Sequence, residues 1–140
     1  MKGNTKITFK QTGDIAIVSA AAAVAGVKTA VTAIGTANDL FDAAEPEAVE
    51  ADIKAAVEAA VNAALANGVD ASFDWTGTGM GVTEAQNGTA GDNDGNAGSA
   101  KVTVTLSKGD VAETVALNLT VPAMAFTNTA DGKIDAAKTA

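Results

Sequence analysis

Apolar and polar positions alternate most cleanly in the last third of the chain. Val102, Val104 and Leu106 stand against Thr103 and Thr105, and Val115, Leu117, Leu119 and Val121 repeat the pattern. Successive side chains of a strand point to opposite faces, so both runs read as half-buried strands. Lys108-Gly109-Asp110 supplies a turn between them and predicts a β-hairpin. Further upstream, Val69, Ala71, Phe73 and Trp75 alternate just as strictly with Asp70, Ser72 and Asp74. Near the start, residues 6–10 alternate, residues 11–14 turn at Gly13, and alternation resumes at Ile15. That predicts a first hairpin.

A different period governs residues 47–65. Val49, Ile53, Val57, Val61 and Leu65 recur every four residues, and Ala56, Ala60 and Ala64 widen the stripe. Pro46 suits a first helical turn, and Glu45, Glu47 and Glu50 complement the positive end of the helix dipole. Asn67-Gly68 reads as the stop. From Ala20 to Asp42 the signal is divided. Val24, Val27, Val31 and Ile34 suit a short helix, while the Val and Thr content also permits a strand.

Thr76 to Ser99 reads as a long Gly-rich loop, functional or flexible, in which Met80 and Val82 are the only large apolar side chains. Beyond Met124 and Phe126 the chain is polar and reads as a peripheral tail that a partner could order. The predicted fold is α+β: a mostly antiparallel sheet with the 47–65 helix packed on one face. Its β part could take an immunoglobulin-like form. Three parts follow: 1–45, a hairpin and an Ala/Val/Thr-rich docking segment; 46–123, a helix and hairpin for display; and 124–140, the tail.

Composition narrows the chemistry. At 140 residues the chain has no Cys, His or Tyr, and every basic residue is Lys. Thiol nucleophiles, imidazole bases and zinc fingers are therefore excluded, which leaves carboxylate, Lys and Ser/Thr chemistry. The net charge of −8 disfavours nucleic acid, and without Arg bidentate reading of guanine is absent too. The apolar run Ile15–Val27 has thirteen residues, short of the roughly 20 that span a bilayer, so no membrane insertion is expected. A cleaved signal peptide is the alternative reading of that run.

Each candidate site has a plainer counterpart. Asp92, Asp94 and the Asn96 carbonyl resemble part of a calcium loop, yet the distal acidic ligand is missing and any tight turn selects the same residues. Asp70 and Asp74 lie on one strand face about 13 Å apart, too far for a glycosidase pair. Thr76–Gly81 has phosphate-loop Gly spacing without the Lys. No cofactor is implied beyond that calcium candidate. The interface candidates are Ile15, Ile17, Val24, Val27, Trp75 and Met80, with packing inside the fold as the counterpart for each.

The motifs AAVEAAVNAALANGV, GTAGDNDGNAGSA and VTVTLSKGD resemble a repeat module of large bacterial cell-surface proteins. Such modules are chained with immunoglobulin-like and surface-layer-anchoring domains. The likeness covers residues 47–123 and implies a non-enzymatic structural or binding role, with no catalytic set. A single copy starting at Met1 without a clear export signal points to a phage virion surface protein, a capsid decoration or head-fibre subunit. Its partners would be copies of itself, capsid or fibre subunits. The alternative is a bacterial cell-surface or extracellular fibre subunit.

Overall fold

The computed structural model describes residues 18–41 and 49–139. The chain forms α1 (Ala20–Ala37), α2 (Glu50–Ala64), β1 (Asp70–Asp74), β2 (Gly81–Thr83), β3 (Gly98–Lys108) and β4 (Val111–Val121). A 3₁₀ turn (Phe126–Asn128) and α3 (Ala130–Thr139) follow. The fold is α+β.

All strand pairings are antiparallel. β3 is central, with β4 along one edge and β1 and β2 sharing the other. The β3–β4 hairpin runs from Gly98↔Val121 to Lys108↔Val111, so its loop is the two residues Gly109-Asp110. Gly109, at φ 60°, supplies the positive φ that a tight right-twisted hairpin requires. Lys108, expected in the turn, is the last strand residue instead.

The alternation in each strand sorts as read. Val102, Val104, Leu106, Leu117 and Leu119 are buried, and their Thr, Ala and Asn neighbours face outward. In β1, Asp70, Ser72 and Asp74 are exposed while Ala71 and Phe73 pack against the core. One face of the sheet is thus covered by helices and the other is open. A second sheet, which an immunoglobulin-like sandwich needs, does not occur among the described residues.

Two helices cover the closed face, one more than expected. α2 lies over β1 and β2, burying Ile53, Val57 and Val61. α1 lies over β4 and β3, burying Ala23, Val24, Val27 and Val31. Both belong to a single core. Sequence left α1 open between helix and strand; its ends decide the matter. The Ser19 hydroxyl accepts the Ala22 N–H at 3.1 Å, and left-handed Asn38 closes the helix by donating to the Ile34 carbonyl at 3.0 Å. By length and composition alone α1 is apolar enough to cross a membrane; here it packs on the sheet. The thirteen-residue run read from sequence broke off inside this helix, which continues to Ala37.

Other boundaries also shift. α2 ends at Ala64, and Asn67-Gly68 is a separate turn with both residues at positive φ, closed by the Val69 N–H on the Ala66 carbonyl. The Pro46 start lies outside the described residues, as does the 6–19 hairpin except at Val18 and Ser19, where Ser19 caps α1 instead of ending a strand.

Candidate functional site

The Gly-rich stretch is largely hydrogen-bonded. It holds β2, an antiparallel bridge between Gln86 and Asn96, and a tight turn between Thr89 and Asp92. Several glycines sit where no Cβ fits. At Gly88 it would lie 1.9 Å from the Asn93 carbonyl oxygen, and at Gly98 2.1 Å from that of Thr83. Glycine is used here for close backbone approach.

That approach grips the segment after β4. The Gly88 N–H donates to the Met124 carbonyl at 2.8 Å, and the Phe126 N–H donates to the Asn93 carbonyl at 2.8 Å. Two side-chain amide oxygens complete the clasp: Asn87 Oδ1 accepts from the Met124 N–H and Asn93 Oδ1 from the Thr127 N–H, at 3.1 and 3.2 Å. Met124 is buried as a result. The polar tail is thereby tied down by Asn87 and Asn93, two residues that sequence reading passed over.

The calcium candidates fare differently. The Asn96 carbonyl accepts the Gln86 N–H at 2.8 Å, so the oxygen expected to ligate is engaged in the bridge. Asp92 and Asp94 are exposed, and the described residues hold no cluster of three or more acidic side chains suited to a metal. The loop's geometry instead serves the clasp. A groove of about 460 Å³ lies beside it, lined by residues including Gly88, Met124, Phe126 and Asp131. One exposed carboxylate there offers no partner for acid–base chemistry.

The interface candidates separate. Val24 and Val27 lie in the core at 0% and 3% exposure, so they are packed inside the fold. Trp75 is half-buried. Its indole N–H donates to Glu58 Oε1 at 3.1 Å, and the Lys54 ammonium lies 5.6 Å from the ring centroid, so α2 holds it from two sides. Met80 is half-buried beside Gly77. Ile15 and Ile17 lie outside the described residues.

Asp74 accepts from both the hydroxyl and the N–H of Thr76, at 2.7 and 2.9 Å. These bonds favour the charged form and hold its carboxyl below the usual Asp value. A general acid needs the opposite shift.

Two further contacts fix the helices. Glu84, just after β2, accepts the Glu50 N–H at 2.8 Å and caps α2 in place of a local side chain. Asn38 bonds Thr120 twice: its Oδ1 accepts the Thr120 N–H and its amide donates to the Thr120 hydroxyl. It therefore ends α1 and pins it to the far end of β4.

What remains open is the outer sheet face. Pairs such as Thr103↔Ala116 and Thr105↔Thr114 surface its middle with short side chains, while Lys101, Asp70 and Asp74 add charges. No polar or charged side chain is buried among the described residues.

Searches against protein-family models, curated proteins and solved structures find no match to this chain.

Proposed function

We propose that this chain is a non-enzymatic structural protein, a subunit of a phage virion surface such as a capsid decoration or head fibre. The observation that carries this reading is the open sheet face. It is broad, fixed by the β3–β4 ladder, and surfaced mostly by Thr, Ser, Ala and Asn, with Lys101, Asp70 and Asp74 spread across it rather than gathered in a polar pocket. Short side chains lose little conformational entropy on burial, so such a face suits docking on a large regular surface. Many weak contacts then sum by avidity on a symmetric shell. The charge of −8 and absence of Arg keep nucleic acid off the list of partners.

A bacterial cell-surface or extracellular fibre subunit is the second reading. The outer edge of β4 favours it, because no described strand pairs there and a free edge can recruit another copy. Size-exclusion chromatography with light scattering and negative-stain imaging, with and without calcium, separates the two. A discrete low-order species is the expected result. Open-ended filaments would replace the virion reading with the fibre reading, and calcium-dependent assembly would return the Asp92–Asp94 loop to the list of sites.

A further inference from the structure

The chain contains two Asn-Gly pairs, Asn67-Gly68 and Asn87-Gly88, and they sit in different surroundings. Such a pair can modify itself. The glycine nitrogen attacks Cγ of the asparagine side chain, and glycine, lacking a Cβ, hinders that approach least. Asn87-Gly88 is locked by the clasp. Its nucleophile, the Gly88 N–H, donates to the Met124 carbonyl at 2.8 Å, and its electrophile, the Asn87 amide, accepts from the Met124 N–H at 3.1 Å. Asn67-Gly68 forms the turn between α2 and β1, closed by the Val69 N–H on the Ala66 carbonyl at 3.1 Å. Both of its residues are exposed and at positive φ, 55° and 77°. Asp70 pairs with Ser107, so this turn lies beside the end of β3, where Lys108 reaches it. The Lys108 ammonium donates to the Asn67 carbonyl and stands 3.7 Å from where a Gly68 Cβ would be. That carbonyl belongs to the same peptide unit as the Gly68 nitrogen. A cation on its oxygen stabilises the anion formed when the N–H of the unit loses its proton, because resonance spreads the charge onto that oxygen.

We propose that Asn67 is a site of spontaneous deamidation promoted by Lys108, and that the clasp spares Asn87. The Gly68 N–H gives its proton to solvent hydroxide, and the Gly68 nitrogen bonds to Asn67 Cγ. The Cγ–Nδ2 bond breaks, and ammonia leaves with a proton taken from water, closing a succinimide ring. Water then adds to either ring carbonyl, and the C–N bond at that carbon breaks. Opening at Cγ leaves an ordinary aspartate; opening at the main-chain carbonyl leaves an isoaspartate, whose backbone runs through Cβ. In sum, water is consumed and ammonia released. Both products place a carboxylate on the turn that Lys108 contacts, and the isoaspartate lengthens the α2–β1 link by a backbone atom. Each of the two bonds that lock Asn87-Gly88 is worth a factor of about five, so reaction there should lag by about 25-fold. The Lys108 bond strengthens as the peptide unit becomes anionic and should speed Asn67 by about tenfold.

Peptide-level mass spectrometry on the full chain, incubated in mildly alkaline buffer and digested at intervals, reads both sites in one sample. In the folded chain Asn67 should convert at least about 25-fold faster than Asn87. In denaturing urea the clasp and the Lys108 contact are gone, and the two rates should converge. That comparison needs no variant. Lys108→Met should slow Asn67 in the folded chain by about tenfold, and Lys108→Arg, which keeps a cationic donor, should restore most of the rate. Asn87 should convert as slowly in both variants as in the parent, which certifies the fold, since loosening the clasp would speed it. Asn67 left unconverted, or converting no faster than Asn87 in the folded chain, would overturn the proposal. So would a gap between the sites that persists in urea, or an Asn67 rate that Lys108→Met leaves unchanged.

Discussion

Gly88→Ala is the sharpest probe of the clasp that holds the C-terminal segment. The new Cβ would stand 1.9 Å from the Asn93 carbonyl oxygen and 2.5 Å from the Phe126 nitrogen. Real Cβ contacts stay beyond 3.0 Å, so the backbone at Gly88 must part from Asn93 by about 1 Å and from Phe126 by about half that. A movement of that size breaks the two 2.8 Å bonds at this point, Gly88 to Met124 and Phe126 to Asn93. Each is worth roughly 1 kcal/mol net, and overpacking adds 1 kcal/mol or more, so the local cost is about 3 kcal/mol or more. At tenfold per 1.4 kcal/mol, the Phe126 and Thr127 amides should exchange faster by about 100-fold or more. Val102 and Val104 amides, central in the sheet, should be nearly unaffected. Gly91→Ala is the control, since its Cβ would meet nothing within 4 Å. Equal exchange at Phe126 in both variants would refute the reasoning.

Other outcomes follow from single contacts. Val31 is fully buried in α1, so Val31→Ala should cost about 2–3 kcal/mol in urea unfolding through two lost methyls and the cavity left behind. Glu84→Ala should remove the cap on α2 and lower stability by about 1 kcal/mol in the same assay, with the folded circular dichroism spectrum retained. Asp74 has a folded pKa below its unfolded one, so its contribution is present above about pH 4, its ordinary value, and is lost as pH falls through the depressed value. Thermal melts from about pH 5 to about pH 2.5 should therefore fall less steeply for Asp74→Asn than for the parent.

What could be read from sequence was whatever burial had imprinted as a period. Thr103 and Thr105 between Val102, Val104 and Leu106 reveal a strand with one face in water, and Val57 and Val61 reveal a helix with one face in the core. α1 was harder, because its outward side is Ala, Gly and Thr with a single Lys, so polarity does not mark the solvent face. Its identity rests on Ser19 and Asn38, end signals that matter only once a helix is suspected. The loop was harder still. β2 is three residues long, and Gly88, Gly95 and Gly98 are selected by backbone proximity to residues distant in sequence or across a bridge. Asn87 and Asn93 accept hydrogen bonds from backbone more than thirty positions away. A loop chosen for turns and a loop chosen to grip another segment use the same Gly, Asn and Asp, so their chemistry reads alike until the partner is in place.

The central structural claim is that α1 shares one core with α2 and the sheet, so that residues 20–37 are part of the rigid body rather than a detachable docking arm. Trp75 is the sole Trp and is held by Glu58 and Lys54 of α2, whereas far-ultraviolet circular dichroism at 222 nm reports all the helices. Urea unfolding followed by both signals should give coincident transitions, as a single cooperative domain requires. Loss of helical signal at lower urea than the Trp75 fluorescence change, by an amount matching α1, would contradict the account.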